Sequence, residues 1–204
     1  MNKPDMIYLA SRSPRRRELL AQIGVAFEPL LFRDGDRADR EVDESPLSGE
    51  DPLRYVQRVA QAKVTHGVRL LQARHLAVCP VLSADTTLDL DGQIVGKPEN
   101  DADAQRILQA LSGRTHRVLT AIAVSYQGKT RRAVNMSDVR FRTLSALDIQ
   151  RYLVTGEHRD KAGAYGIQGH AGMFVEHISG SYTGIMGLPL CETAQLLNEF
   201  SLQF

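Results

Sequence analysis

A mixed α/β domain is the fold class that this 204-residue sequence predicts, on three observations. Short apolar runs alternate with helix-period segments near both ends of the chain, as in βαβ-like units. The middle holds two tight-turn signals, Asp91-Gly92 and Gln127-Gly128, each between strand-like runs, which marks hairpins and not crossovers. No internal repeat or linker breaks the order, so residues 1–204 read as one domain. The expected architecture is a mixed, twisted sheet flanked by helices, with two lobes around a cleft.

Taken in order, Ile7-Tyr8-Leu9-Ala10 is a short buried strand. Ser13 is an N-cap and Pro14 suits the first helical position, where a missing N–H costs nothing. An amphipathic helix then runs through Glu18 to Ile23 and closes at Gly24. Phe27 to Leu31 is a second strand, and the polar stretch from Arg33 to Pro52 a long surface loop. Pro52 to Gln72 is helical, with Tyr55, Val59, Ala62 and His66 as its recurring face. Val78 to Leu90 is mostly strand, with Pro80 at its start or on an edge, turned by Asp91-Gly92 into Gln93-Ile94-Val95. Asn100 or Asp101 caps a helix carrying Ala104, Ile107, Leu108 and Leu111, stopped by Gly113. Arg117–Tyr126 and Ala133–Phe141 are paired strands. Ser145 and Asp148 form a capping-box pattern opening a helix to Val154. A glycine-rich loop (Lys161 to Gly172), a strand (Met173 to Ile178) and a helix (Pro189 to Phe200) complete the chain.

Composition narrows the function. Hydrophobic residues make up 43% and charged residues 24%, as in globular proteins. The net charge of +1 creates no broad field for nucleic acid or a membrane, and aromatics are only 6%. Basic clusters are therefore local, which favours small anions over polyanions. Cys79 and Cys191 stand among apolar residues and read as buried thiols of a reducing compartment. No apolar run approaches ~18 residues and no signal sequence is evident, so a soluble cytoplasmic protein is expected. The histidines are scattered without zinc-ligand spacing, and Walker, nucleophile-elbow and dinucleotide fingerprints are absent.

Three segments carry chemistry. In Ser11-Arg12-Ser13-Pro14-Arg15-Arg16-Arg17, arginines occupy the first helical turn, where the helix dipole favours an anion. With hydroxyls and free N–H groups at a strand-to-helix junction they suit a phosphate. Arg16 projects along the face of Leu19, Leu20 and Ile23, so it needs a buried partner or a ligand. In Ser83-Ala84-Asp85-Thr86-Thr87, Asp85 interrupts an apolar strand, where a carboxylate must be paired, hydrogen-bonded or metal-bound. Hairpin register would pair Thr86 with Lys97, so Asp85 and Lys97 share a site only if a bulge intervenes or pairing ends at Gly96. In Lys161 to Gly169, glycines permit close backbone approach, and Gln168 offers a donor and an acceptor to a nucleobase edge. Asp43 and Glu44 are oxygen ligands of the kind Mg²⁺ prefers. Lys63, taken alone, reads as a solvated helix lysine.

Together these segments resemble the Maf family, the septum-formation-inhibitor-like nucleoside triphosphate pyrophosphatases. The resemblance rests on Leu9-Ala10-Ser11-x-Ser13-Pro14-Arg15-Arg16, Val42-Asp43-Glu44, Ala84-Asp85-Thr86, Gly96-Lys97-Pro98, Leu111-Ser112-Gly113-x-Thr115-His116, Asp160 to Gly169, and Gly187-Leu188-Pro189-Leu190. It implies a fold shared with inosine-triphosphate pyrophosphatases and hydrolysis of a triphosphate to monophosphate and pyrophosphate. A divalent cation (Mg²⁺ or Mn²⁺) and a homodimer are further family expectations. By motif, Asp85 becomes the proton acceptor, Ser11, Arg16, Lys63 and Lys97 line the triphosphate, and Glu44 joins Asp85 at the metal. The segment from Arg33 to Glu41 is longer than in compact relatives, which leaves Asp43 as an alternative to Glu44. Arg15, Thr86 and Gln168 match the branch acting on dTTP and UTP; the 7-methyl-GTP branch carries Trp, Gln and Glu there. A non-catalytic nucleotide-binding regulator of division is the rival reading, against which intact Asp85 and Lys97 argue.

Overall fold

The computed structural model describes residues 5–30, 42–202 and 204. The interval from Arg33 to Glu41 and Leu31, the end of the second expected strand, lie outside them.

The sheet is organised around β3 (Val81–Leu90), whose alternate side chains enter two different cores. On one side β1 (Ile7–Leu9) runs parallel to β3, and β2 (Phe27–Pro29) runs parallel to β1. On the other side β5 (Thr115–Tyr126), β6 (Lys129–Phe141) and β7 (Val175–Ser179) follow antiparallel, giving the order β2-β1-β3-β5-β6-β7. β4 (Gln93–Val95) folds back onto β3 through Asp91 and Gly92, whose φ values of 54° and 79° are those a two-residue hairpin requires. The mixed sheet is the expected one.

β1 and β4 use the same edge of β3, because β5 covers the opposite edge from Val81 to Asp89. β1 pairs at Val81 and Leu82, and β4 at Leu88 to Leu90. Among the described residues, no strand pairs with Ser83 to Thr87 along that edge. A gap where a strand's neighbour changes direction is a natural ligand crevice in α/β sheets. It lies between the two flanking groups of elements and takes the place of the expected cleft.

Helices cover both faces. α2 (Pro52–Ala73) is capped by Asp51, which accepts from Leu53 N and Arg54 N, and lays Val56, Val59, Ala60 and Val64 on the sheet. Gly67 lets it approach closely: a Cβ there would stand 2.9 Å from Val81. The expected face through Ala62 and His66 is rotated, since both are only half-buried. On the other face α1 (Pro14–Gln22) and α6 (Leu190–Glu199) bring Leu19, Leu20, Leu196 and Leu197 against Ile7, Leu9, Leu82, Ala84 and Ile122. A third core gathers Leu88, Val118 and Phe141 with α3 (Asp101–Leu111) and α4 (Ala146–Val154). Asn100 caps α3, and the Ser145–Asp148 capping box forms.

Several boundaries differ from expectation. β5 and β6 pair up to their turn, Tyr126 facing Lys129, so β6 starts earlier than Ala133. Met173 and Phe174 belong to a 3₁₀ turn (His170–Phe174), because Phe174 drops its ring onto Tyr152 and Phe141. A short helix, α5 (Tyr182–Met186), was not anticipated; Ser181 caps it by accepting from Gly184 N. Neither cysteine is a buried thiol: Cys79 is half-buried, and Cys191 is exposed opposite the inward stripe of Thr193, Leu196 and Leu197. Among the described residues, no helix is long and apolar enough to cross a membrane.

Candidate active site

Strand alternation sends Asp85 toward α2 and Thr86 toward α1, so two polar clusters form back to back at the gap in the sheet. In the first, Lys63 Nζ lies 2.8 Å from Asp85 Oδ1 and 2.8 Å from Glu44 Oε2. The Lys63 and Asp85 side chains are only 12% and 8% exposed, whereas Glu44 is 45% exposed. Lys63 is not the solvated lysine expected of it alone. It follows Val56, Val59 and Ala60 on the inward stripe of α2, and Asp85 is the partner that makes its burial tolerable. Glu44 is set by two clips from the same helix. Tyr55 donates its hydroxyl to Glu44 O at 2.9 Å; Arg58 donates to both oxygens of Glu50 (2.7 and 2.8 Å) and to Ser45 O at 2.9 Å. Burial, with Asp85 and Glu44 nearby, pushes the Tyr55 hydroxyl up to about 12. Asp43 instead accepts from Ser45 N at 2.9 Å, outside the cluster.

Burial pushes the Asp85 carboxyl above the usual aspartate range, opposed by the charge and hydrogen bond of Lys63 and by Arg16. Its second oxygen, Oδ2, is buried without a hydrogen-bond partner. A buried anionic oxygen left open in this way fits a hard cation, with Glu44 as a second carboxylate. Among the described residues, no group of three or more potential metal ligands occurs.

The second cluster is built on Arg16. Its Nε donates to Gly187 O at 2.8 Å, Nη1 to Ser11 Oγ at 3.1 Å, and Nη2 to Thr86 Oγ1 at 3.2 Å. Three N–H groups thus hold the guanidinium, and among the described residues no partner is recorded for the other two. Burial lowers the Arg16 pKa, offset chiefly by Asp85, so each half of the site feels the other's charge. Ser11 Oγ also accepts from Ser13 N at 3.2 Å, and no acceptor for its own proton is recorded among the described residues.

A third group comes from the glycine-rich segment. Gly163 N donates to Gly96 O at 2.9 Å and Gly169 N to Gly166 O at 3.1 Å, so residues 163–169 fold back beside the exit of β4. Glu157 fastens the far side, accepting from His170 N at 2.8 Å and from its ring Nδ1 at 2.5 Å. Tyr165 OH meets buried His116 Nε2 at 2.7 Å behind it. Lys161 donates to Glu157 O, and its pKa is lowered by burial and by the charge of Arg15. Arg15 is half-buried and likewise lowered by burial. Gln168 is exposed at the turn.

The sequence profile of the family described as Maf-like protein matches residues 6–200. The chain belongs to the Maf family. Curated Maf relatives include the dTTP/UTP pyrophosphatase of Aromatoleum aromaticum (strain DSM 19018 / LMG 30748 / EbN1), 62% identical over 195 residues, covering 95% of each chain. That of Dechloromonas aromatica (strain RCB) is 56% identical over 197 residues, covering 97% of this chain and 98% of the relative. The solved Staphylococcus aureus Ham1 protein aligns over 67% of this chain and 71% of its own, at 14% identity and a TM-score of 0.40, too slight a likeness to argue from.

Of the residues expected from the Maf motifs, Ser11, Arg16, Glu44, Lys63, Asp85 and Thr86 converge at the gap in β3. Among the described residues, no bond from Lys97 to this cluster is recorded. Pairing of β4 ends at Val95, the Gly96 carbonyl is held by Gly163, and Lys97 lies exposed in a recess between β4 and α3. Arg15 and Gln168 flank the site, with no bond between them recorded among the described residues. Sequence reasoning missed Thr120, whose hydroxyl lies 2.9 Å from Thr86 Oγ1, and the Gly187 carbonyl. A hydroxyl alone between Leu119 and Ala121 was the same kind of signal as Asp85.

Proposed function

We propose that this chain hydrolyses dTTP and UTP to the monophosphate and pyrophosphate. The observation that carries the reading is the pairing, at one unfilled edge of β3, of a buried carboxylate whose Oδ2 has no hydrogen-bond partner among the described residues and a half-buried arginine that bonds them through three of its five N–H groups. The names of relatives sharing more than half of its residues support the same substrates.

In this reading Asp85 accepts a proton from water as the water oxygen bonds to the α-phosphorus. The bond from that phosphorus to the bridging oxygen breaks, and pyrophosphate carries the electron pair away. Charge grows on phosphate oxygens and on the leaving group, where Arg16 and Lys63 stand already oriented, and Ser11 can donate its hydroxyl. A divalent cation, Mg²⁺ or Mn²⁺, would be held by Asp85 Oδ2 and Glu44, and when bound supplies positive charge to the phosphate oxygens. Gln168 presents an amide that complements the imide edge of uracil or thymine, and a mismatched base loses those hydrogen bonds. Arg15 and Lys161 add positive charge beside that segment.

The test is pyrophosphate release from dTTP, UTP, CTP, dATP, GTP and 7-methyl-GTP, with Mg²⁺ and with EDTA. Release from dTTP and UTP, lost in EDTA, is expected. Equal turnover of all six overturns the base assignment, and binding without release supports the regulatory reading instead.

A further inference from the structure

We propose that Thr86 and Thr120 form a one-way hydrogen-bond relay that positions Arg16, so Thr86 influences substrate choice through the guanidinium and not by touching the nucleotide. The inference rests on the triphosphate hydrolysis proposed above and deepens it.

Proton counting fixes the relay's direction. Thr120 Oγ1 lies 2.8 Å from Gly184 O. A carbonyl cannot donate, so the single Thr120 proton points there. Thr86 Oγ1 and Thr120 Oγ1 are 2.9 Å apart, and either could donate if isolated. With the Thr120 proton engaged, the one between them belongs to Thr86. Toward Arg16 Nη2, at 3.2 Å, Thr86 is then an acceptor, the only role an arginine allows a partner. The order runs from Arg16 N–H to Thr86 O–H to Thr120 O–H to the Gly184 carbonyl.

Thr86 therefore has no proton left for a phosphate or a base, whereas Ser11 accepts from both Arg16 and Ser13 and donates to no group among the described residues. Two polar residues of the same cradle thus have different roles: Ser11 can touch the anion, and Thr86 holds the group that does.

The far end of the relay is rigid. Gly184 lies against β6 so closely that a Cβ there would stand 2.4 Å from Asn135 Oδ1. Asn135 is itself fixed, donating to Glu192 at 2.7 Å and accepting from Ser137 at 2.8 Å. Gly187, three residues on, gives its carbonyl to Arg16 Nε, so two of the three restraints on the guanidinium return to α5 and the turn after it, Ser11 being the third. Thr120 is fully buried, beyond reach of a ligand. Replacing it can alter nucleotide handling only through its neighbours.

The experiment compares Thr120→Val, Thr120→Ser, Thr86→Val and the double variant Thr86→Val/Thr120→Val, measuring kcat and KM for dTTP, UTP and CTP. Thr120→Val is expected to lower kcat/KM on the order of 10-fold and to shift the dTTP-to-CTP preference in the same direction as Thr86→Val. Thr120→Ser restores wild-type values, and the double variant is no worse than Thr86→Val, because both act through one relay. Wild-type kinetics and preference in Thr120→Val, with both altered in Thr86→Val, overturn the proposal and make Thr86 a nucleotide contact. NMR of the unliganded wild-type protein supplies a second reading independent of turnover and of variant folding. Slowly exchanging Thr86 and Thr120 hydroxyl protons with a mutual cross-peak are expected, and a Thr86 hydroxyl in fast exchange with water overturns the relay. A wild-type protein releasing no pyrophosphate refutes the functional reading alone, while the hydroxyl spectrum still decides the relay.

Discussion

The two halves of the site sit back to back on β3 and differ in how much hydrogen-bonding capacity they use on themselves. On the α2 face, Asp85 and Glu44 share one lysine, and Asp85 Oδ2 is left without a partner. On the α1 face, Arg16 is held at all three nitrogens by Gly187, Ser11 and Thr86. The first half is incomplete without something bound; the second is already set. A carboxylate that must react keeps an open oxygen, whereas a guanidinium that must stabilise developing charge benefits from a fixed position. The difference separates reaction from positioning within a few residues of one strand.

Four experiments break or sharpen this contrast. The largest effect is expected for Asp85→Asn. Turnover should fall by roughly 10²–10⁴-fold, while dTTP affinity measured by calorimetry stays near wild type. Residual activity within tenfold of wild type removes Asp85 from the reaction.

Lys63→Met leaves the buried Asp85 carboxylate without its lysine and beside the more exposed Glu44. Breaking a buried pair in this way costs about 3–5 kcal/mol, read as a lower urea midpoint. A loss confined to activity, with stability unchanged, would mean that Lys63 serves the substrate and not the folded state.

His116 provides a test away from both halves, on the support behind the glycine-rich segment. Burial holds its pKa at about 4, against 6.5 for the ordinary side chain. Between those values the unfolded chain binds more protons than the folded one, so stability rises with pH. The contribution is complete above pH 6.5 and fades as pH falls toward 4, for a loss of roughly 3 kcal/mol. Urea unfolding across this window should show the slope in the wild type and a flatter one in His116→Gln. Parallel profiles reject the assignment.

Gly187→Ala is the mildest perturbation. The backbone there has φ 110°, and a Cβ would stand 3.4 Å from Thr86 Oγ1 and 3.7 Å from Arg16 Nε. The strain is about 1–3 kcal/mol, and it acts on the carbonyl that orients the arginine. A modest fall in kcat and kcat/KM for dTTP is expected, because the arginine acts on charge that develops during the reaction; a higher KM with unchanged kcat would make Arg16 a ground-state binding group only.

Much of the site was legible because it violates local rules. Arg16 on an apolar helix face and Asp85 inside an apolar strand each demand a partner, and each finds one. Lys63 was misread although it follows Val56, Val59 and Ala60 on one helical stripe, because a lysine's long stem can reach water from such positions and its partner is 22 residues away. Lys97 turned on where the hairpin ends: pairing stops at Val95, so the strict register that would have paired Lys97 with Thr86 does not apply, and the Gly96 carbonyl is held by Gly163. The choice between Asp43 and Glu44 depended on Tyr55 and Arg58, which hold the loop from a helix that starts eight residues after Glu44.

Periodicity, caps and turn residues by themselves determined which segments became strands and helices, and single out-of-place polar residues marked where chemistry would lie. These are local preferences, written within a few residues of backbone. Tertiary structure alone decided that β1 and β4 leave the same edge of β3 unfilled, that Lys63 meets Asp85, and that the Thr120 proton points to Gly184. Each depends on groups far apart in the chain, brought together by the packing of whole faces, and no local preference encodes that distance.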